Sequence, residues 1–117
     1  MTEKRWSLTP SFVEAKMRAK RRGPRMNSRV PLTVEWHENA TNQPLRTHAH
    51  TRVVNFYGGL VVAPRSLPLE QKMTITNLAN QKSISAVVVY RGGKGLDGWE
   101  MGVELVNPEM DFWGIEL

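Results

Sequence analysis

The chain contains no cysteine. That absence excludes disulfides, a thiolate nucleophile and any zinc site built on cysteine. No apolar run approaches the roughly 18 residues that a membrane-crossing helix needs. The first residues carry charge with no apolar stretch behind them, unlike a secretory leader, so the expected location is the cytoplasm. Catalytic signatures are missing too. There is no Gly-x-Ser-x-Gly elbow, and Ser28 and Ser66 have no evident base beside them. Gly92, Gly93 and Gly95 lack the Lys-Ser/Thr tail of a phosphate loop. The carboxylates are scattered singly, and the expectation is a protein that is not an enzyme and holds no cofactor.

What is present is an uneven distribution of charge. Residues 1–29 hold nine Lys and Arg against Glu3 and Glu14, a net +7, whereas residues 30–117 sum to −2. The basic character belongs to an N-terminal arm, and an anionic partner should be met there. At 117 residues the chain has the length of one domain and can bury a modest core. Its organisation reads as a basic arm over 1–24, followed by a β-domain over 25–117.

Thr9 and Pro10 can open a short helix, with Thr9 as cap and Pro10 in the first turn. Phe12, Val13 and Met17 fall on one side of it, and Glu14 pairs with Arg18 at i, i+4. Gly23-Pro24 ends it. So short a helix is barely stable alone and needs the body to pack against.

From Val30 the period becomes two. Val30, Leu32, Val34 and Trp36 alternate with polar neighbours. Extended segments then follow over 45–57, 60–63, 71–78, 83–90 and 98–106, with turns between them and a Gly-rich loop over 91–98. Asn107-Pro108 can start a closing helical turn carrying Phe112, Trp113 and Ile115. Six short strands at regular spacing predict an all-β, six-stranded antiparallel barrel, since closure removes exposed edges.

Three groups of residues could carry function. Arg21, Arg22, Arg25 and Arg29 lie within nine residues, broken by a Gly-Pro that forbids continuous helix. Guanidinium forks suit phosphate oxygens and the O6/N7 edge of guanine. The plainer alternative is a solvated arm. In Asn55-Phe-Tyr-Gly58-Gly59, a polar side chain three residues before a glycine marks a tight turn. Asn55 would bond the turn backbone, and Gly58 or Gly59 would supply a positive φ. His48 and His50 share one face of a strand, with His37 in the preceding one. No carboxylate stands beside His48 or His50 in sequence, so the expectation is no metal.

Taken together, these stretches resemble the PilZ family of bacterial cyclic di-GMP receptor domains. The resemblance covers roughly residues 21–117. The family pattern is R-x-x-x-R at the start of the first strand, then D/N-x-S-x-x-G between the second and third. Arg25-Met-Asn-Ser-Arg29, followed by Val30-Pro31, matches the first. Aligning the second on Gly58 puts Asn55 at the serine and Val53 at the Asp/Asn position, where valine departs from the pattern. The endings Trp99–Leu105 and Asp111–Leu117 also look like a divergent branch. The resemblance implies a six-stranded, PilZ-like barrel acting as a non-enzymatic receptor or adaptor in bacterial signalling. Arginines of the arm (Arg21, Arg22, Arg25, Arg29) would close over cyclic di-GMP, and Val53, Asn55 and Gly58 would face it. An unknown effector protein is the implied partner. Two alternatives stand beside it. One is a ligand-independent interaction module on the same fold. The other is a small nucleic-acid-binding barrel, disfavoured by the acidic body.

Overall fold

The computed structural model describes residues 26–115. The predicted N-terminal helix, the arm boundary at 24/25, and Arg21, Arg22 and Arg25 lie outside the described residues. Among the described residues there are seven strands: β1 (Met26–Asn27), β2 (Pro31–His37), β3 (Pro44–Asn55), β4 (Gly58–Ala63), β5 (Lys72–Asn77), β6 (Lys82–Gly95) and β7 (Gly98–Leu105). All pairings are antiparallel. Neighbours run β3-β2-β5-β6-β7-β4, and β4 pairs back onto β3, closing a six-stranded barrel. Each of the six expected strands is found. The seventh, β1, is a two-residue addition at the end of β2's side of β3.

Alternation decides what faces the core. Leu32, Val34 and Trp36 of β2 are buried between outward Pro31, Glu35 and His37. Ile75, Val88, Met101 and Val103 meet them inside. Apolar β-branched and aromatic side chains suit such half-buried strands. One register change matters for the site. Between Thr51 and Val53 the β3–β4 pairing slips by a residue, so Arg52 is the extra residue of a bulge.

Two expectations are corrected. The Gly-rich stretch 91–98 is not a loop: β6 continues to Gly95, β7 begins at Gly98, and only Leu96 and Asp97 turn between them. Gly98 sits at φ 138°, and a side chain there would strike the Ala63 carbonyl oxygen at 2.7 Å. Glycine lets the hairpin close over β4 at that point. The closing segment is not helical either. Phe112 N–H bonds the Glu109 carbonyl and Gly114 N–H the Asp111 carbonyl, giving successive single turns that push Phe112 and Trp113 into the barrel's end. There they are 0% and 3% exposed, stacked edge to face at 4.9 Å. Asn77 Nδ2 donates to the Phe112 carbonyl at 2.8 Å, and Lys82 pairs with Asp111. A plug of two aromatics needs such polar anchors because its own backbone belongs to no strand.

Candidate functional site

The site begins where the arm joins the barrel. β1 lies along β3 with Met26 opposite Val54 and Asn27 opposite Val53. Two stretches separated by more than twenty residues, Met26–Asn27 and Val53–Val54, are therefore neighbours in one antiparallel ladder. Thr51 fixes this junction. Its buried hydroxyl accepts from Val30 N–H at 2.8 Å and donates to the Ser28 carbonyl. Thr51 N–H also bonds the Val30 carbonyl, and Ser28 N–H the Arg52 carbonyl. Ser28 and Val30 are thus both clamped, and Arg29 between them is thrown outward to solvent.

Arg29 borders an open cleft of about 570 Å³, shared with Pro31, His48, His50, Pro64 and Asp97. His48 and His50 do share this exterior face of β3, as their spacing implied, whereas His37 lies at the far end of β2 opposite Pro44. Among the described residues no three metal-ligating side chains converge. The floor of the region is set by ions. Asp97, from the tip of the β6–β7 hairpin, receives Arg52 Nη2 at 2.7 Å and His50 Nε2 at 3.3 Å. Arg52 Nε reaches Glu100 at 2.9 Å. Desolvation works to raise the Asp97 pKa. A backbone N–H, the Arg52 charge and the His50 contact outweigh it, and the carboxyl is held below its ordinary value. Sequence reasoning missed Arg52, Asp97 and Glu100, because nothing local joins residues 45 or more positions apart.

Beside this cluster runs a different surface. Val54, Val61, Met101, Val103 and Val88 belong to the core, so the alternate residues of β3, β4, β7 and β6 face outward. In register they form one row, Asn27–Val53–Leu60–Gly102–Tyr90. Val53 and Leu60 are half-buried, and Gly102 is buried.

Asn55 bonds its turn backbone as its spacing implied, and that role takes it off the surface expected to face a ligand. Asn55 is 1% exposed, and its Oδ1 accepts from Tyr57 N–H at 2.8 Å and Gly58 N–H at 3.1 Å. Its carbonyl receives Trp113 Nε1–H at 2.8 Å. Asn55 is therefore an internal brace of the β3–β4 turn, and its amide offers no accessible atom to a ligand. Gly58 and Gly59 are not at positive φ; only Gly98 and Gly114 are among the described glycines. They are needed for space instead. A Cβ on Gly58 would sit 2.1 Å from the Val103 carbonyl oxygen, and one on Gly59 2.9 Å from that of Val53. Gly58 is buried as well, which leaves Arg29 and Val53 as the expected site residues on the surface.

The chain matches no protein-family model, no curated protein and no solved structure.

Proposed function

We propose that this protein is a non-enzymatic receptor or adaptor for cyclic di-GMP, built as a PilZ-like barrel. The observation that carries the reading is the β1–β3 register, which lays Met26 and Asn27 of the arginine segment directly against Val54 and Val53. A flat, dianionic dinucleotide asks for two things: guanidinium forks for phosphate and guanine edges, and a surface on which a purine can lie. Arg29 stands at one border of the junction, and Val53 with Asn27 supplies the surface. Arg25 immediately precedes β1 in sequence, and Arg21 and Arg22 follow the same arm back.

The chemistry also lowers the expected affinity. Val53 cannot hydrogen-bond a guanine edge, and Asn55 is spent within its turn. One lost polar contact costs about 1–3 kcal/mol, roughly tenfold to a hundredfold in affinity. These two residues favour the second reading, a ligand-independent interaction module on the same barrel.

Isothermal titration with cyclic di-GMP, with GTP and a short DNA as controls, tests the proposal. Selective binding to the cyclic dinucleotide, weakened at least tenfold by Arg25→Ala and by Arg29→Ala, is the expected result. Unchanged affinity in both variants, or silence from the parent protein, would overturn it. A gain of binding in Val53→Asn from a silent parent would identify a lapsed site and favour the module.

A further inference from the structure

His48 and His50 line the open cleft of about 570 Å³ on the exterior of β3 and β4. The pleat frames it. His50 stands opposite Pro31 of β2 and Val62 of β4, and His48 opposite Thr33, so the two imidazoles follow one another along an outward face of β3. Pro31, Ala63 and Pro64 add uncharged wall. The charges are sorted to two ends. At the hairpin end, both oxygens of Asp97 are taken, one by Arg52 and one by His50, and Arg52 also holds Glu100. At the other end Arg29 is exposed and pairs with no described carboxylate. Other charges nearby are engaged elsewhere. Arg46 and Glu35, the next outward pair along β3 and β2, hold each other at 3.6 Å, Arg65 lies over Trp36, and β4 brings no ionisable side chain. The two arginines and two carboxylates of the cleft cancel. Histidine is the side chain whose charge changes between about pH 8 and about pH 5, so the imidazoles decide the sign. Asp97, held below its ordinary value, stays ionised across that range.

We propose that this cleft is a proton-gated site for a small phosphate monoester, with the dianionic head between Arg29 and the imidazoles and the uncharged body against Pro31 and Pro64. A guanidinium fork and an imidazolium are both charge-assisted donors to an oxyanion. Asp97 would repel a dianion if it were free, but Arg52 and His50 already occupy it. His50 is tethered by that contact, whereas no described carboxylate tethers His48, so His48 is the imidazole that gains most from the ligand. The volume lies in the range of small-molecule sites, roughly 300–1,000 Å³, and exceeds what a bare oxyanion fills, which leaves room for an ester body. Because the dianion prefers the protonated cleft, protons and ligand must tighten one another's binding by the same factor. The site shares Arg29 with the nucleotide reading but does not rest on it, since His48 lies about 15 Å along β3 from Val53 at strand rise.

Sulfate is the first probe. It stays a dianion throughout the range in which the imidazoles change charge, so any pH dependence belongs to the protein. Sodium sulfate is titrated into the full-length chain at about pH 5.5 and about pH 8, against sodium chloride of equal ionic strength, and NMR follows the Ala49 and Ala63 amides. Saturable shifts at least tenfold tighter at the lower pH are expected. His48→Gln keeps a polar side chain but not the charge, and should bring the low-pH affinity to within threefold of the value at about pH 8. His37→Gln, at the far end of β2, should change nothing. Equal affinity at both pH values, shifts that chloride reproduces, or an unaltered response in His48→Gln would each overturn the proposal. Competition at the lower pH reads the body: phenyl phosphate should displace sulfate at least threefold more potently than methyl phosphate, and equal potency would overturn the ester. The two readings fail separately. Silence toward cyclic di-GMP with the sulfate response intact would refute the nucleotide receptor alone. Cyclic di-GMP binding that His48→Gln leaves unchanged, with no sulfate response, would refute this site alone.

Discussion

Replacing Asn55 with alanine separates a structural role from a ligand-binding one. Its Oδ1 holds Tyr57 N–H and Gly58 N–H, and truncation removes both bonds. At about 1 kcal/mol each, with a further penalty for leaving Gly58 N–H buried, the loss is roughly 2–4 kcal/mol. One offset comes from the same side chain. Asn55 Nδ2 is buried with no hydrogen-bond partner among the described residues, and deleting an unsatisfied donor returns about 1 kcal/mol or more. The net expectation is destabilisation of about 1–3 kcal/mol, seen as a fall in Tm of the order of 10 °C. Asn55→Asp keeps an acceptor for both N–H groups and removes the orphan donor, so it should recover part of the loss above the carboxylate range. Thermal and urea denaturation read the stability. Titration of the folded variant with cyclic di-GMP reads the site, with affinity expected within twofold of the parent. Unchanged stability together with a tenfold loss of affinity would refute the brace and return Asn55 to the ligand.

Gly58→Ala forces a methyl against the Val103 carbonyl, where the added Cβ has 2.1 Å. The β4–β7 ladder must open, and denaturant titration should show a loss of about 3 kcal/mol or more. Phe112→Ala empties the plug at the barrel's end and should cost about 3–5 kcal/mol, with Trp113 fluorescence shifting red as its neighbour is lost. The carboxyl of Asp97 is depressed in the folded protein. Its contribution to the hairpin is therefore complete above the ordinary value of 3.8 and is lost as the pH falls through the lowered one. NMR shifts of the Leu96 and Gly98 amides should hold steady above that range and move below it, and Asp97→Asn should abolish the step.

The strands were legible because alternation is a long-range consequence of a local rule: each apolar residue of β2 or β7 must find the same core. Elements without alternation were not. β1 is two residues with no apolar pattern, and its place is set by Thr51, which lies beyond the next strand. Gly92, Gly93 and Gly95 have the composition of a loop. They lie in strand all the same. A Cβ at Gly92 would crowd the Glu100 and Tyr90 side chains, whereas one at Gly93 would meet nothing within 4 Å and one at Gly95 only ordinary contact. It is Gly98, against Ala63 of β4, that close packing requires to be glycine. The arginine pair was visible in the sequence for what Arg29 became, an exposed cation at a clamped corner. The turn motif was visible only as a turn, and its glycines turned out to answer strand crowding rather than backbone handedness.

The bulge at Arg52 explains why the candidate site has two chemistries side by side. Strict alternation would have sent Val53 inward and kept Arg52 alone outside. The slipped register instead leaves Val53 on the exterior next to Arg52. Arg52 is drawn sideways to Asp97 and Glu100, which fastens the β6–β7 hairpin over β4 and neutralises the one arginine that β3 contributes there. Val53 then begins an uncharged row running to Tyr90. An anionic ligand at this junction would accordingly meet the exposed Arg29 rather than Arg52, whose charge Asp97 and Glu100 already hold. A variant that frees Arg52, such as Asp97→Ala combined with Glu100→Ala, would place an unpaired cation beside Val53. On the receptor reading it should tighten binding of cyclic di-GMP several-fold in isothermal titration, and unchanged affinity would place the ligand away from this junction.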